Sequence, residues 1–442
     1  MAISALDDTI LGNIFVNEEL QNIFTETKTI GTYLQIEVAL AQAQAETGLI
    51  PTEAAAAIAT ITPEHLDTDQ LRARATAVGF PIAGLVEQLA TVVPDGHGQF
   101  AHWGATTQDI MDTAVVLQLR EALAVGDKAL ADLGGHLARL ANEHRSTVMV
   151  GRSQLQPAAP TTFGHRAAGW LDAIGRHQDR IDNLKPRLFR LQLGGAVGTM
   201  AAIGPTGQEV HRIMADKLNL APSHITWHTG RDSFVEAASV AAGLAATLGK
   251  IGKDIAFASQ AEVAEMRESA TGGRGISSTM PQKQNPVASQ ALMQSASIAR
   301  AHLPLVLEAA VADNDRGTGV WPLEWVSIVP IVAVATSAAI TARDLIDDLV
   351  VDVEQMARNV EAAGEGLMAE ATMMALAPSV GRQTSHDLVE DALHAAQEHG
   401  TSMVEELAAA GHNLSASVFD PANYRGTSET QIDAAIARFN RR

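Results

Sequence analysis

No cysteine occurs among the 442 residues. Disulfides, thiolate catalysis and cysteine-ligated metals are therefore excluded. The absence fits a reducing compartment, and a cytoplasmic protein is the expectation. Aromatic residues are scarce, at 4% against a hydrophobic content of 46%, so a large core has to be built from Ala, Leu, Val and Ile. Positive charge is short as well: 31 Lys and Arg stand against 51 Asp and Glu, a net charge of −20. Such a surface repels nucleic acid and anionic membrane, so neither is an expected partner. An anionic ligand needs a local cluster of cations against that background. The N-terminal residues show no basic stretch followed by an apolar run, so no signal peptide is expected. No apolar run reaches membrane-spanning length without polar interruption, and Ile328 to Ile340 reads as a buried helix.

Strand signals are also missing, since no period-two run of strand length is convincing. Helical periodicity takes their place. Helices are expected from Tyr33 to Thr47, Ile82 to Val93, Asp112 to Arg145, Thr161 to Lys185, Ser233 to Glu268, Val287 to Ala312 and Leu323 to Leu349. In the third of these, Leu119, Leu123, Leu130, Leu133, Leu137 and Leu140 fall at helical spacings. Runs this long, rich in Ala, suit a bundle in which small-residue stripes pack closely. The segments His97 to Gln108 and Gly151 to Pro160 read as loops, as does the glycine cluster at Gly194, Gly195, Gly198 and Gly204. The expected organisation is an N-terminal helical domain (1–109), a central long-helix domain (110–349) and a C-terminal helical domain (350–442).

One stretch, Glu268 to Pro286, is a small-residue island between two long helices. Gly272, Gly273 and Gly275 break the helix, and Pro286 is suited to open the next. Ser277, Ser278, Lys283 and Asn285 place two hydroxyls, an ammonium and an amide in one loop. On composition alone this could be a flexible connector. A long polar loop inside a helical protein is more often functional.

Gly275 to Pro286 resembles the signature loop of the fumarase/aspartase superfamily, Gly-Ser-Ser-x-Met-Pro-x-Lys-x-Asn-Pro, with Ile276 in place of its glycine. His102 to Thr113 resembles that superfamily's first active-site segment, and Gly151 to Pro160 the second. Within the superfamily the chain is most similar to bacterial 3-carboxy-cis,cis-muconate cycloisomerases. The stretches that carry this are Leu191 to Thr199, Trp227 to Asp232 and Asp315 to Trp325.

The resemblance implies an all-α, three-part fold with a central bundle of long helices. It also implies a homotetramer whose active sites draw segments from three chains. The implied substrate is a small polycarboxylate, with no metal and no organic cofactor. A carboxylate of the muconate adds across a double bond to give a lactone, and a proton goes to the neighbouring carbon. By family match Ser277 is the catalytic base or acid, helped by Lys283, and Lys283 and Asn285 contact a substrate carboxylate. Thr106, Thr107 and Gln108 would serve a second carboxylate, and Arg316 a third through a bidentate pair. His102, Arg152 and Gln154 complete the implied substrate-binding set. Blander readings stand beside these: Ser278 shapes the turn, Thr106 caps a helix, Arg316 pairs with Glu324, and Trp321 and Trp325 are core.

The second segment departs from the pattern. Related lyases carry histidine where this chain has Gln154, and some cycloisomerases carry it where this chain has Pro157. An amide cannot transfer a proton at neutral pH, which suits an addition with no leaving group. Two alternatives remain open: a lyase releasing fumarate from adenylosuccinate or an N-substituted aspartate, and a catalytically silent structural homologue.

Overall fold

The computed structural model of the chain describes residues 4–8 and 10–441. Helices dominate it, as the periodicity implies. The long ones are α1 (Glu26–Glu46), α2 (Thr107–Glu143), α3 (Phe163–Leu188), α4 (Asp232–Ala258), α5 (Val287–Ala309) and α6 (Ile328–Asp347). Their starts are set by side chains that take up free amides. Thr25 accepts from the amide of Lys28 before α1, and Asp109 accepts from the amide of Thr106 before α2. Glu268 accepts from the amides of Ala288 and Ser289 at the head of α5.

Apolar stripes explain what is buried. Leu119, Leu130, Leu133 and Leu137 of α2, and Leu248, Ile251 and Ile255 of α4, have no exposure at all. With few aromatic rings available, the helices approach closely. A Cβ on Gly249 of α4 would lie 2.7 Å from the Cβ of Ala296 on α5, so the two backbones nearly touch there. Two helical stretches, Asp232–Ala258 and Pro322–Asp347, are long and apolar enough to cross a membrane by length and composition. The uninterrupted apolar runs did not suggest this, because small polar residues divide them. Within the protein 56% and 72% of their apolar 18-residue stretches are buried, as in bundle core helices.

Three expectations need correcting. The helix expected to reach Glu268 ends at Ala258. The chain turns there, and Met266–Arg267 then pairs as a short strand with Val350–Val351. The helix expected from Leu323 is broken into Pro322–Trp325 and α6. Pro330, which lacks an amide hydrogen, then falls in the first turn of α6, where that loss is tolerated. The third correction is a hairpin where a loop was expected. Strands β1 (Val148–Ser153) and β2 (Gln156–Thr162) pair antiparallel, from Val148↔Thr162 to Ser153↔Gln156, with an irregularity at Gly151/Arg152. Pro157 and Pro160 in β2 hide the strand pattern, because proline usually argues against a ladder position. Gln154 and Leu155 form the two-residue turn, both with positive φ (52° and 68°). That matches the type I′ turn favoured in hairpins.

The chain forms two compact units, one of residues 1–129, 177–249 and 291–341, the other of residues 130–176, 250–290 and 342–442. In the first, Trp321 and Trp325 pack on each other and on Phe80, with ring centroids 5.0–5.9 Å apart; Trp321 is buried core and Trp325 is half-buried at its edge. Beside them lies a buried ionic triad. The Arg231 guanidinium forks to Asp112 at 2.6 and 3.0 Å and to Glu324 through Nε at 2.8 Å. It also sits 5.1 Å from the Trp227 ring centroid and 4.8 Å from that of Phe234. Burial alone would lower the guanidinium's pKa, but the two carboxylates outweigh it and raise it. Burial raises that of Glu324, opposed by Arg231.

Replacing Arg231 by Leu strands two buried carboxylates and should cost about 3–5 kcal/mol in urea unfolding at neutral pH. Burial already raises the Glu324 carboxyl and Arg231 opposes it, so without Arg231 it stands further above its unfolded value and the loss appears as pH rises above the ordinary carboxylate range. It should shrink toward about pH 4, where the Glu324 carboxyl is protonated. An equal loss at about pH 4 and pH 7.5 would contradict the role given to this triad.

Candidate active site

In the first unit the site grows from the N-terminus of α2. Asp109, fully buried, accepts four N–H donors. They are the amides of Thr106, Gly194 and Gly195, each at 2.9 Å, and His228 Nε2 at 2.7 Å. One carboxylate thus joins the first segment to the glycine loop and to the Trp227–Asp232 stretch. Gly194 has to be glycine here, because a Cβ would come within 2.5 Å of the Thr226 hydroxyl. Gln108 is buried too, and its amide donates to the carbonyl of His228 at 2.8 Å. It braces the same junction from within the fold.

Arg316 joins this group. It donates to the Thr106 hydroxyl at 3.1 Å and to the carbonyls of Gly195 and Ala196 at 3.3 and 3.0 Å. The alternative pairing with Glu324 does not occur, because Arg231 holds that carboxylate. Thr106 stands just before the first turn of α2, its amide donating to Asp109 and its hydroxyl accepting from Arg316. Thr107 is the first residue of α2 and is half-buried. His102 lies on the approach to the helix with φ at 57°, a conformation costing a non-glycine residue about 1–3 kcal/mol. Glu37 of α1 holds it there, accepting from its ring Nδ1 at 2.6 Å and its amide at 3.1 Å.

In the second unit the signature loop is closed at its neck. The amides of Asn285, backbone and side chain, donate to the carbonyl of Gly275 at 2.8 and 3.2 Å. Ile276 and Gln284 bridge across the loop. Glu268 takes the amides at the head of α5 and the Ser289 hydroxyl, fixing where the loop rejoins the helix. Within the loop the Ser277 hydroxyl oxygen accepts from the amides of Thr279 and Met280 at 3.3 and 3.1 Å. Two N–H donors on one hydroxyl oxygen favour its alkoxide. The Lys283 ammonium donates to the Asn285 side-chain oxygen, and the loop runs directly into the positive end of α5.

Arg152, on β1, is committed to Glu265, with two bonds of 2.8 and 2.9 Å to a fully buried carboxylate that Asn359 also contacts. Gln154 is exposed at the hairpin tip. Both line a cavity of about 660 Å³ together with Arg166, Lys250 and Asp254.

The structure therefore pairs Thr106 with Arg316, and Lys283 with Asn285. Several supporting groups had no role in the sequence reading. Glu37 sits mid-helix with no motif around it. Asp109, His228 and Arg231 lie inside recognised stretches, so the stretches were visible while the contacts were not. Glu265 and Glu268 are single acids in an acid-rich chain.

Two family profiles match the chain, one described as lyase over residues 15–300 and one as adenylosuccinate lyase C-terminus over residues 366–435. The chain is 36% identical over 438 residues to trans-aconitate decarboxylase 1 of Mycosarcoma maydis, covering 97% of this chain and 88% of that protein. It is 36% identical over 442 residues to the 3-carboxy-cis,cis-muconate cycloisomerase of Acinetobacter baylyi, covering 97% and 98%. Among solved structures, the 3-carboxy-cis,cis-muconate lactonizing enzyme from Pseudomonas putida is similar with a TM-score of 0.92 at 34% identity, covering 98% of this chain and 99% of that one.

Gly275 has φ at 74°, and a Cβ there would meet the carbonyl oxygen of Asn285 at 2.2 Å. Replacing it by Ala should open the loop's neck without unfolding the protein. Amide exchange measured by mass spectrometry should rise across residues 275–286 and stay unchanged in α2 and α6. Unaltered exchange in the loop would mean that this closure does not hold it.

Proposed function

The chain belongs to the fumarase/aspartase superfamily of lyases, and we propose that it is the enzyme converting 3-carboxy-cis,cis-muconate to 4-carboxymuconolactone in protocatechuate breakdown. The observation that carries the choice is the hairpin tip. Where related lyases have an imidazole, an exposed Gln154 is offered instead. Lactonisation needs no proton there. A carboxylate oxygen forms the new C–O bond, and the π pair moves to the carbon beside another carboxylate, which takes up the charge. That carbon then gains a proton, and no leaving group departs.

In this reading the Ser277 hydroxyl is the proton carrier for carbon, with its oxygen supported by two amides. Lys283 and Asn285 bind one carboxylate, and Thr106, Thr107 and Arg316 face another. Gln108 and Arg152 act by holding their segments in place. The similarity to a trans-aconitate decarboxylase supports an unsaturated tricarboxylate as the substrate class. We further propose a cytoplasmic homotetramer whose sites draw on three chains, on the strength of the superfamily reading.

Elimination of fumarate from a substituted succinate is the second reading. It is favoured by the lyase profile and by Gln282, which argininosuccinate lyases also carry. A silent homologue is opposed by the complete Ser277, Lys283 and Asn285 set.

Purified protein mixed with the muconate should remove its ultraviolet absorbance. Ser277→Ala should slow this by roughly 10²–10⁴-fold, the range for loss of a general acid or base, with unchanged circular dichroism. No absorbance loss at high protein concentration, together with fumarate release from adenylosuccinate or an N-substituted aspartate, would move the assignment to the second reading.

A further inference from the structure

Arg166 is a cation that lactonisation does not use. It stands half-buried in the first turn of α3, four residues before Trp170 and so on the same helix face. Lys250, Asp254 and Phe257 form a second stripe at the end of α4. The acids around Arg166 are already taken by other donors. One oxygen of Asp254 accepts from the Trp170 indole at 2.9 Å and from the Lys250 ammonium. Glu265 accepts from both terminal nitrogens of Arg152 and from the Asn359 amide. Among the described residues Arg166 itself makes no hydrogen bond or ion pair. A guanidinium has five N–H donors and stays charged at any working pH, so leaving it half-buried and unmatched is costly. Its pKa is lowered, chiefly by burial; Asp254 and Glu265 oppose this, and Arg152 adds to it.

This guanidinium lines the cavity of about 660 Å³, a size usual for ligand sites. No residue of the signature loop lines that cavity. Leu155, Phe257, Ala258 and Val263 give it an apolar wall. Arg152, Arg166 and Lys250 meet only Asp254 and Glu265, so one positive charge is left over, in a chain of net charge −20. A phosphate dianion would exceed that charge. A single carboxylate matches it, and it pairs with a guanidinium through two parallel bonds.

We propose that this cavity is a second carboxylate site, in which Arg166 clamps the carboxylate of a small monoacid and the apolar wall takes the acid's hydrocarbon part. Asp254, the stronger of the two acids acting on Arg166, is the internal anion with which the ligand competes. The site goes beyond the lactonisation reading and does not depend on it.

The test is titration calorimetry on the full-length protein with benzoate, its neutral counterpart benzamide, and inorganic phosphate. Benzoate should bind with a Kd of about 1 mM or tighter, and the other two roughly 10-fold more weakly or worse. Arg166→Met should weaken benzoate roughly 10–100-fold, and Arg166→Lys by less. Phe257→Ala should weaken it too, while Asp254→Asn should tighten it by removing the competing charge. Lys283→Met should leave it unchanged, which separates this site from one on the signature loop. Circular dichroism checks that each variant is folded; if Arg166→Met is not, Arg166→Lys and Asp254→Asn carry the test. No benzoate binding up to about 10 mM would overturn the proposal. So would wild-type affinity in the folded Arg166 variants, equal binding of benzamide or phosphate, or a loss that follows Lys283 instead. If benzoate binds through Arg166 but the muconate is not converted, the substrate assignment fails and this site stands.

Discussion

The carboxylate of Asp109 is the interaction on which the first-unit site depends. A buried charge is tolerated only when its hydrogen-bonding capacity is met. Here the amides of Thr106, Gly194 and Gly195 and the ring of His228 meet it completely. Each bond to a charged group is worth about 1.5–3 kcal/mol, so four of them outweigh much of the desolvation cost. The consequence is geometric. Three segments distant in sequence share one anchor, and it fixes the first turn of α2. Arg316 can then reach Thr106 and the carbonyls of Gly195 and Ala196.

The second unit uses the same device. Glu268 fixes the end of the signature loop through three donors at the head of α5. Glu265 fixes β1 through Arg152. In a chain of net charge −20, most acids lie on the surface and contribute solubility. The few buried ones are matched donor by donor, and they hold the polar segments in shape. Binding groups are thereby supplied on rigid supports, while Ser277 and Lys283 sit on a loop closed at its neck and crossed once more by the Ser277 amide, which donates to the Lys283 carbonyl at 3.3 Å.

Legibility followed the physics of each signal. The long helices could be read because their apolar stripes recur at 3.6-residue spacing, and Leu119 to Leu140 proved buried as that spacing requires. The signature loop could be read because glycine, serine, lysine and asparagine stand in a fixed local order. The β1–β2 hairpin could not, since two prolines disguise β2 and the turn is made by Gln154 and Leu155 rather than Asn-Gly. Long-range pairs were also out of reach. Nothing local indicates that Glu37 faces His102, or that Arg231 rather than Arg316 takes Glu324. Gln108 shows the converse. Its motif marks it as an active-site residue, while its burial and its bond to the His228 carbonyl are visible only in the fold.

The central claim is that the site adds a carboxylate across a double bond within one molecule. Proton NMR of the 3-carboxymuconate reaction in D₂O tests this most directly. The account predicts a lactone that retains all its carbons and carries one deuterium, on the carbon beside the acetate carboxylate. Loss of carbon dioxide, or exchange of substrate protons without ring closure, would contradict it.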